Sequence, residues 1–384
     1  QNRLGRILVV AQVALTVVLM VGAGLFVRTL VNLQNIPTGF NETNVTLLQI
    51  DTATTGLKDA QIGNLLIEAE DRVRRLPGVE AASFSFLTFN QGGWTSTIYT
   101  FDETPPKGEG NLVRQNTVSV DYFKAMGIPI VSGRVFEARD TDASQKVAVV
   151  SETMARHYYP SGDALGKHFG KTSDKRDEIE IVGIVKDAKY QSLTENSRSM
   201  VYFPLKQRPG PVVNFIIRVS PDAQNVIPAV RRTLAELNSN LPIDDIVSLQ
   251  DHVSRSLVQQ KLIARLASFF GLLALMLASI GLYGVLSYSV ARRRNEIGIR
   301  MALGASTLDV MKMVLRSGMT LTIVGVALGV GGAIALTRLV SALLFGVTAT
   351  DLTTFFAVAL ALLVVAFVAC YIPARRATRV DPLI

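Results

Sequence analysis

The 384-residue sequence has little charge, and it also lacks the residues that form covalent or metal-bound cross-links. Only 18% of its residues are charged, whereas soluble globular chains carry about a quarter. Its single cysteine, Cys370, excludes an intrachain disulfide, a CxxC redox pair and a cysteine-rich zinc site. Because 49% of the residues are hydrophobic, part of the chain is expected to lie outside water.

Candidate catalytic and metal-binding residues are equally scarce. The histidines, His157, His168 and His252, are scattered and show no HExxH or paired-ligand spacing. Residues 162–168 resemble a phosphate-binding loop, but the glycines are too close together and His168 replaces the Ser or Thr that binds magnesium. No GxSxG motif is present. We therefore predict no catalytic, cofactor-binding or metal-binding residues and no enzyme activity on this chain.

The net charge of +8 is concentrated in the hydrophobic parts of the sequence. Residues 31–261 carry 25 Lys/Arg and 27 Asp/Glu, so the basic excess lies entirely outside this segment. This distribution is typical of a membrane protein, and it excludes nucleic acid as a partner.

Uncharged windows predict four membrane-spanning helices. A helix needs roughly 20 apolar residues to cross the hydrocarbon core of a bilayer, and only helices or closed barrels satisfy their backbone groups there. Four windows are long enough: residues 7–27, 266–291, 317–337 and 352–374. A cleaved signal peptide is the alternative for the first window, but that window exceeds the usual apolar region of roughly 7–15 residues.

Charges in the short loops predict the orientation. The loop 292–316 and both ends of the chain are rich in arginine. In the loop 338–351, by contrast, the only charged residues are Arg338 and Asp351. Since basic residues remain in the cytoplasm, we expect both termini and the loop 292–316 to be cytoplasmic. Residues 31–260 are then extracytoplasmic.

The extracytoplasmic segment has the pattern of an α+β domain. Residues 45–86 and 213–249 each predict a strand, a helix and a second strand. Between these two β-α-β units, an inserted β-rich lobe is expected over about residues 115–205, with strands near 146–150, 178–185 and 200–203. The predicted fold class is a four-helix membrane protein with a large α+β domain between helices 1 and 2.

Two features of the membrane half suggest more than anchoring, and a third concerns helix packing. No Pro or Gly interrupts residues 252–266, which predicts one rod-like helix over about residues 253–290. Residues 291–305 mix charged and apolar side chains at helical spacing, as in an interfacial anchor or a docking helix for a cytosolic partner. Gly325 and Gly329 form a GxxxG pattern, which allows close helix packing.

Several segments resemble ATP-binding-cassette (ABC) permeases of the MacB/FtsX type. Residues 294–305, RNEIGIRMALGA, are similar to the cytosolic segment of that family, and residues 373–382 are similar to its usual C-terminus. Residues 121–134 and 147–155 resemble its periplasmic core domain. The resemblance implies a domain order of a first helix (1–30), a periplasmic core domain (31–260) and an FtsX-like permease domain (261–384).

The resemblance also implies partners and a location. The expected location is the bacterial inner membrane, where the chain would contact membrane lipid, and a cytosolic ABC ATPase would bind the loop 292–316. The chain has no Walker motif and begins at Gln1, so it is similar to one half of a duplicated permease. Its dimer partner is then an identical chain or the other half, and a periplasmic adaptor is a further candidate. The residues expected to contact the ATPase are Arg294, Glu296, Ile297, Arg300, Met301 and Leu303.

Two functions remain open at this stage. The first is a permease subunit of an exporter or mechanotransmission complex, which couples ATP hydrolysis by its partner to periplasmic conformational change. The alternative is a membrane scaffold that regulates a periplasmic cell-wall enzyme. The spans contain no Asp, Glu or Lys, which disfavours a proton or ion relay through the helices.

Overall fold

The computed structural model describes residues 3–50, 59–100, 112–160, 162–172, 174–208, 214–223, 226–238, 241, 243–303, 306–348 and 350–377. The chain divides into two compact units. The helical unit comprises Gln1–Asn35 and Leu257–Ile384, and the α/β unit comprises Ile36–Ser256. The end of the predicted C-terminal motif, residues 378–382, lies outside the described residues.

The elements follow one another in this order: α1 (Arg3–Gln34), β1 (Val45–Ile50), α2 (Asp59–Arg74), β2 (Val79–Ser85), β3 (Trp94–Thr97), β4 (Tyr99–Thr100), β5 (Leu112–Val118), α3 (Tyr122–Met126), β6 (Ile130–Gly133), β7 (Lys146–Ser151), α4 (Glu152–Tyr158), β8 (His168–Gly170), β9 (Ile179–Val185), β10 (Met200–Pro204), β11 (Asn214–Val219), α5 (Val226–Leu237), β12 (Ile243–Ser248), α6 (Leu249–Arg255), α7 (Val258–Arg292), α8 (Arg294–Ala302), α9 (Thr307–Leu339) and α10 (Leu352–Ala377).

The helical unit contains four helices that are long and apolar enough to cross a membrane: Leu4–Gln34, Val258–Arg292, Thr307–Leu339 and Leu352–Arg376. Each contains one of the four predicted windows. The predicted fold class is therefore confirmed, with the α/β unit between the first and second of these helices.

Branched apolar side chains hold the four helices together. Val17 and Val21 of α1 are fully buried and share a cluster with Ala333 of α9 and with Phe355 and Leu362 of α10. Further along the unit, Val9 and Val13 lie in a second cluster with Leu282 and Leu286 of α7 and the buried thiol of Cys370. Helix α1 is therefore a shared packing partner for the other three helices.

The predicted continuous helix over residues 253–290 is wrong in one respect. Helix α6 ends at Arg255, and α7 begins at Val258. The Ser256 hydroxyl donates a hydrogen bond to the Val253 carbonyl oxygen at 2.6 Å, and the Ser256 amide bonds the same carbonyl at 3.1 Å. These contacts satisfy a carbonyl of the last turn of α6, which ends there. From Val258 onward, α7 runs for 35 residues without interruption.

The described strands of the α/β unit form one sheet in the order β12-β1-β11-β2-β5-β10-β7-β9-β8-β4, with β3 on β5 and β6 on β9. Both predicted β-α-β units are present, but their strands interleave. The first four strands of this order alternate between the two units, and the described pairs among them are antiparallel. The arrangement is the split β-α-β pattern.

One hydrophobic core joins the two β-α-β units. Helices α2 and α5 cover the interleaved strands, and Leu66 and Val230 lie fully buried in the same cluster as Leu48. The rings of Phe84 on β2 and Phe215 on β11 stack with centroids 4.1 Å apart. The shared core explains why the two segments pack as one layer although more than 100 residues separate them along the chain.

The inserted lobe has its own core. Strands β5, β10, β7 and β9 are central, and buried side chains such as Val150, Ile181 and Val201 pack against Met154 and Tyr158 of α4. Ser151 begins α4 as its N-cap and accepts a hydrogen bond from the Met154 amide at 3.3 Å. The lobe therefore folds around a sheet-and-helix core separate from the first one.

Candidate functional site

Helix α8 is the short element between α7 and α9 in the loop for which the sequence predicts a partner contact. Arg293 is both the C-cap of α7 and the N-cap of α8, so one residue connects the two helices. At the other end, Ser306 and Asp309 form a reciprocal capping box that starts α9. Close connection on the α7 side and a specific cap on the α9 side define where α8 lies within the helical unit.

Apolar packing fixes α8 to the helical unit. Ile297 is only 2% exposed, and it forms a cluster with Val310 and Val314 of α9 and Ala374 of α10. Met301, one turn later, is partly buried against the same cluster. Burying an isoleucine in this way contributes roughly 2–3 kcal/mol, so the inner face of α8 is committed to packing within the chain.

The opposite face of α8 is exposed and has both charged and apolar side chains. Glu296 and Arg300 form an ion pair, with Oε1 and Nη2 2.8 Å apart. Ile299 and Leu303 are 61% and 83% exposed. The sequence predicts Ile297, Met301 and Leu303 as the apolar part of the partner surface. Of these, Leu303 is exposed, Met301 is partly buried and Ile297 is enclosed within the chain. Ile299, which the prediction omits, is exposed.

The predicted helix-packing glycines lie inside the helical unit. A Cβ atom on Gly329 would be 2.6 Å from Val17 Cβ and 2.7 Å from the Ala14 carbonyl oxygen, and one on Gly325 would be 2.7 Å from Val13 Cβ. Both glycines therefore pack against α1 of the same chain. This contact uses the GxxxG surface that a second chain would otherwise need.

A cleft in the α/β unit brings together charged residues that the sequence interpretation missed. It has a cavity volume of about 130 Å³ and lies between α2, the β5–α3 connection and the segments that follow β6 and β10. Glu70 of α2 is 4% exposed, and its Oε1 lies 2.9 Å from Nη2 of Arg74. Arg74 also contacts Asp121, with Nε 3.1 Å from Oδ2. These ion pairs lie where the split β-α-β layer meets the inserted lobe.

Burial dominates the electrostatics of this cleft. Desolvation raises the pKa of Glu70 to about 7, although a hydrogen bond with Ser119 and the charge of Arg74 oppose the shift. In the sequence, only the i, i+4 spacing of Glu70 and Arg74 indicated this ion pair. The same spacing also occurs on exposed helix faces, so it did not predict that the pair is buried. Its burial depends on Ser119 and the inserted lobe, which are distant in sequence.

Within the ranges that the structure describes, no group of three or more His, Cys, Asp or Glu side chains is arranged to hold a metal ion. His252, for example, lies 2.7 Å through Nε2 from the Phe89 carbonyl oxygen and stabilises a loop of the α/β unit.

Two family models match the chain. The MacB-like periplasmic core domain matches residues 4–237, which is more than half of the chain, and the FtsX-like permease C-terminal domain matches residues 268–382. The two matches follow the order of the α/β unit and the last three long helices.

Individual proteins are also similar to this chain. The probable export ATP-binding/permease protein MacB of Pseudomonas entomophila is 27% identical over 317 residues, which cover 74% of this chain and 45% of that protein. The uncharacterized ABC transporter permease YknZ of Bacillus subtilis is 24% identical over 275 residues, which cover 70% of this chain and 68% of YknZ. The chain thus spans less than half the length of the MacB relative.

Among solved structures, the periplasmic region of MacB from Actinobacillus actinomycetemcomitans matches with a TM-score of 0.40 and 17% identity. That match covers 57% of this chain and 94% of the solved chain.

Proposed function

Because the chain belongs to the MacB/FtsX-type ABC permeases, whose MacB-like periplasmic core domain and FtsX-like C-terminal domain it carries, we propose that it is the permease subunit of an ABC exporter or mechanotransmission complex. A separate ATPase in the cytosol hydrolyses ATP, and the permease converts this into conformational change of its α/β unit in the periplasm. The location is the bacterial inner membrane, with both termini in the cytoplasm.

The observation that carries the proposal is the exposed face of α8. Ile299 and Leu303 present apolar surface beside the Glu296–Arg300 pair, while Ile297 fixes the helix from its inner side. Exposed apolar side chains bordered by charge are typical of a protein interface. Arg294 is also exposed at the start of α8 and adds positive charge for an acidic group of the ATPase.

The connection between α8 and α7 supports a mechanical role. With Arg293 as their shared cap, a displacement of α8 is passed to α7 without an intervening loop. Helix α7 then extends for about 52 Å at 1.5 Å per residue, longer than the hydrocarbon core of a bilayer. Since the four uncharged windows inside these helices contain no Asp, Glu or Lys, the work is done by moving helices rather than by passing a charged substrate between them.

The partners follow from this mechanism. The permease works as a dimer with an identical chain or with the other half of a duplicated permease, and a periplasmic adaptor joins the α/β unit in an exporter. Because the GxxxG glycines pack within the chain, the dimer contact uses a different surface from Gly325 and Gly329.

Co-purification of the natural full-length protein from membranes tests the proposal. The wild type should recover a cytosolic ABC ATPase, identified by mass spectrometry, and Ile299→Asp with Leu303→Asp should lose at least about nine-tenths of it because both place charge in the contact. The control is Leu343→Asp, which adds the same group at a 58% exposed leucine beyond the far end of α9. Recovery of a periplasmic cell-wall enzyme without any ATPase would instead establish the scaffold function.

A further inference from the structure

A groove at the α8 end of the helical unit combines basic residues with an apolar floor. Arg6 of α1, Ser289 of α7, Arg293 and Ser317 of α9 contribute polar groups to it, and Leu286 and Val314 form part of its floor. Its enclosed volume is only about 30 Å³, room for roughly two water molecules. Any ligand must therefore lie mainly along the open groove, which excludes an enclosed solute.

No described acidic side chain neutralises the positive charge of this groove. Arg6 and Arg293 are both exposed, and among the residues that the structure describes neither guanidinium has an ion-pair or hydrogen-bond partner. The nearest acidic residues along the chain are already used, since Glu296 pairs with Arg300 at 2.8 Å and Asp309 accepts a hydrogen bond from the Ser306 hydroxyl at 2.7 Å. Two arginines at one groove without a counter-charge favour an anionic ligand.

The groove lies at the ends of three of the four uncharged windows. Arg6 directly precedes the uncharged window 7–27, Arg293 follows the window 266–291, and Ser317 begins the window 317–337. Three spans thus change from uncharged to charged at this level, which marks the boundary between hydrocarbon and headgroups. Guanidinium groups at such a boundary extend towards phosphates while their aliphatic parts remain near the acyl chains.

We propose that this groove binds the phosphodiester headgroup of an anionic phospholipid from the membrane leaflet on the α8 side. Arg6 and Arg293 hold the phosphate oxygens, and the hydroxyls of Ser289 and Ser317 donate further hydrogen bonds to the headgroup. The apolar floor favours a lipid over free phosphate, because inorganic phosphate gains nothing from contact with Leu286 and Val314. The bound lipid bridges α1, α7 and α9, and this role does not require the ATPase.

Native mass spectrometry of the full-length protein in detergent, supplied with equal amounts of phosphatidylglycerol and phosphatidylcholine, tests this site. The wild type should retain phosphatidylglycerol in preference. Arg6→Gln with Arg293→Gln should lower that retention about tenfold or more, since two charge-assisted contacts are removed. The control is Arg292→Gln with Arg294→Gln, which removes the same charge from exposed positions next to Arg293 that do not line the groove.

Three results of this comparison would overturn the lipid site, and a fourth comes from added phosphate. The three are equal retention of both lipids by the wild type, unchanged phosphatidylglycerol retention by the Arg6/Arg293 variant, and an equal loss in the control variant. Inorganic phosphate added in the same experiment separates the two sources of the anion. If millimolar phosphate displaces phosphatidylglycerol completely, the groove binds free phosphate and the lipid assignment is wrong. Because all four arginines are exposed, the substitutions should not prevent folding.

Discussion

Glu70 and Arg74 form an ion pair across one turn of α2, with 2.9 Å between Oε1 and Nη2, and the Glu70 side chain is almost completely enclosed. On an exposed helix such a pair contributes only about 0.3–0.5 kcal/mol. Here the inserted lobe covers the ion pair. The protonation of the Glu70 carboxyl is therefore linked to the contact between the inserted lobe and the split β-α-β layer.

We predict that Glu70 makes the α/β unit less stable as the pH rises from about 4.5 to 7. Below this window the carboxyl is protonated in both the folded and the unfolded chain. Above it, the carboxyl is ionised in both, and the folded state bears the full desolvation penalty, because burial raises the pKa to about 7. Relative to Glu70→Gln, the wild type should lose on the order of 3 kcal/mol across the window, since each pKa unit corresponds to about 1.4 kcal/mol.

Trp94 is the single tryptophan of the 384-residue sequence and belongs to the α/β unit, so its fluorescence during urea unfolding of this 384-residue chain reports on that unit. The matched control is Glu68→Gln, which removes an equal charge from an exposed pair with Arg72 on the same helix. A pH-independent difference between the wild type and Glu70→Gln would show that the pKa of Glu70 is the same in the folded and unfolded chain, which would contradict the prediction.

Gly329→Ala should destabilise the helical unit. Alanine normally favours a helix over glycine by about 1 kcal/mol, but its methyl group here would lie 2.7 Å from the Ala14 carbonyl oxygen and force α1 away from α9. We expect a net loss of about 1–3 kcal/mol. Thermal unfolding of the solubilised protein measures the effect. Gly331→Ala is the control, because nothing lies within 4 Å of its added Cβ, and equal behaviour of the two variants would contradict the packing.

Ile297→Ala and Ile299→Ala should separate attachment of α8 from binding of its partner. The first removes a side chain that is 2% exposed and should weaken the attachment by about 2 kcal/mol or more. Hydrogen exchange of the backbone amides of residues 294–302 should therefore accelerate at least about 10-fold. The second should leave exchange unchanged and lower ATPase recovery. Faster exchange in Ile299→Ala than in Ile297→Ala would reverse the assignment of the two faces.

Asp351 begins α10 and should contribute mainly as a cap. Its Oδ2 accepts hydrogen bonds from the Thr354 amide at 3.0 Å and hydroxyl at 2.6 Å, and its carboxylate also contacts Arg28 of α1. These hydroxyl contacts lower its pKa to about 2. Asp351→Ala should cost about 1 kcal/mol in the unfolding of the helical unit, and Asp351→Asn, which keeps an acceptor, should cost less.

The pH dependence checks the same residue. Because the folded-state pKa is depressed, the charge-dependent stabilisation is present above about pH 4 and is lost as the pH falls towards 2. Thermal unfolding of the wild type and Asp351→Asn should therefore converge in that range. A constant difference between them down to pH 2 would mean that the carboxylate charge does not stabilise the helix.

The membrane half was predictable because its signal is local. Each span needs a sufficient uncharged length, and residues such as Arg6 and Arg292 mark the ends directly in the sequence. The inner and outer faces of α8 were less accessible to prediction. Ile297 and Ile299 are two residues apart and equally apolar, and only the position of Val310 and Val314 on α9 decides which is buried.

Strand β5 shows why the fold of the α/β unit was harder to predict from the sequence. Its centre, Arg114 to Asn116, reads as polar, yet these side chains are buried. The Asn116 amide bonds the backbone of Leu87 at 2.9 and 3.0 Å, and Arg114 lies 3.2 Å from Glu195. These partners satisfy the hydrogen-bonding groups of the buried side chains. Because they lie 29 and 81 residues away along the chain, the local sequence around β5 does not predict that these side chains are buried.

The strands that carry the inserted lobe have a consequence for changes in its length. Strand β2 ends at Ser85 and β11 begins at Asn214, and these two residues are direct partners in the antiparallel ladder. The chain thus leaves and re-enters the split β-α-β layer at neighbouring points, as it would through the turn of a hairpin. A change of length within the lobe would therefore leave the register of the β2–β11 pair unchanged, because the ends of the lobe are already held together by this pair.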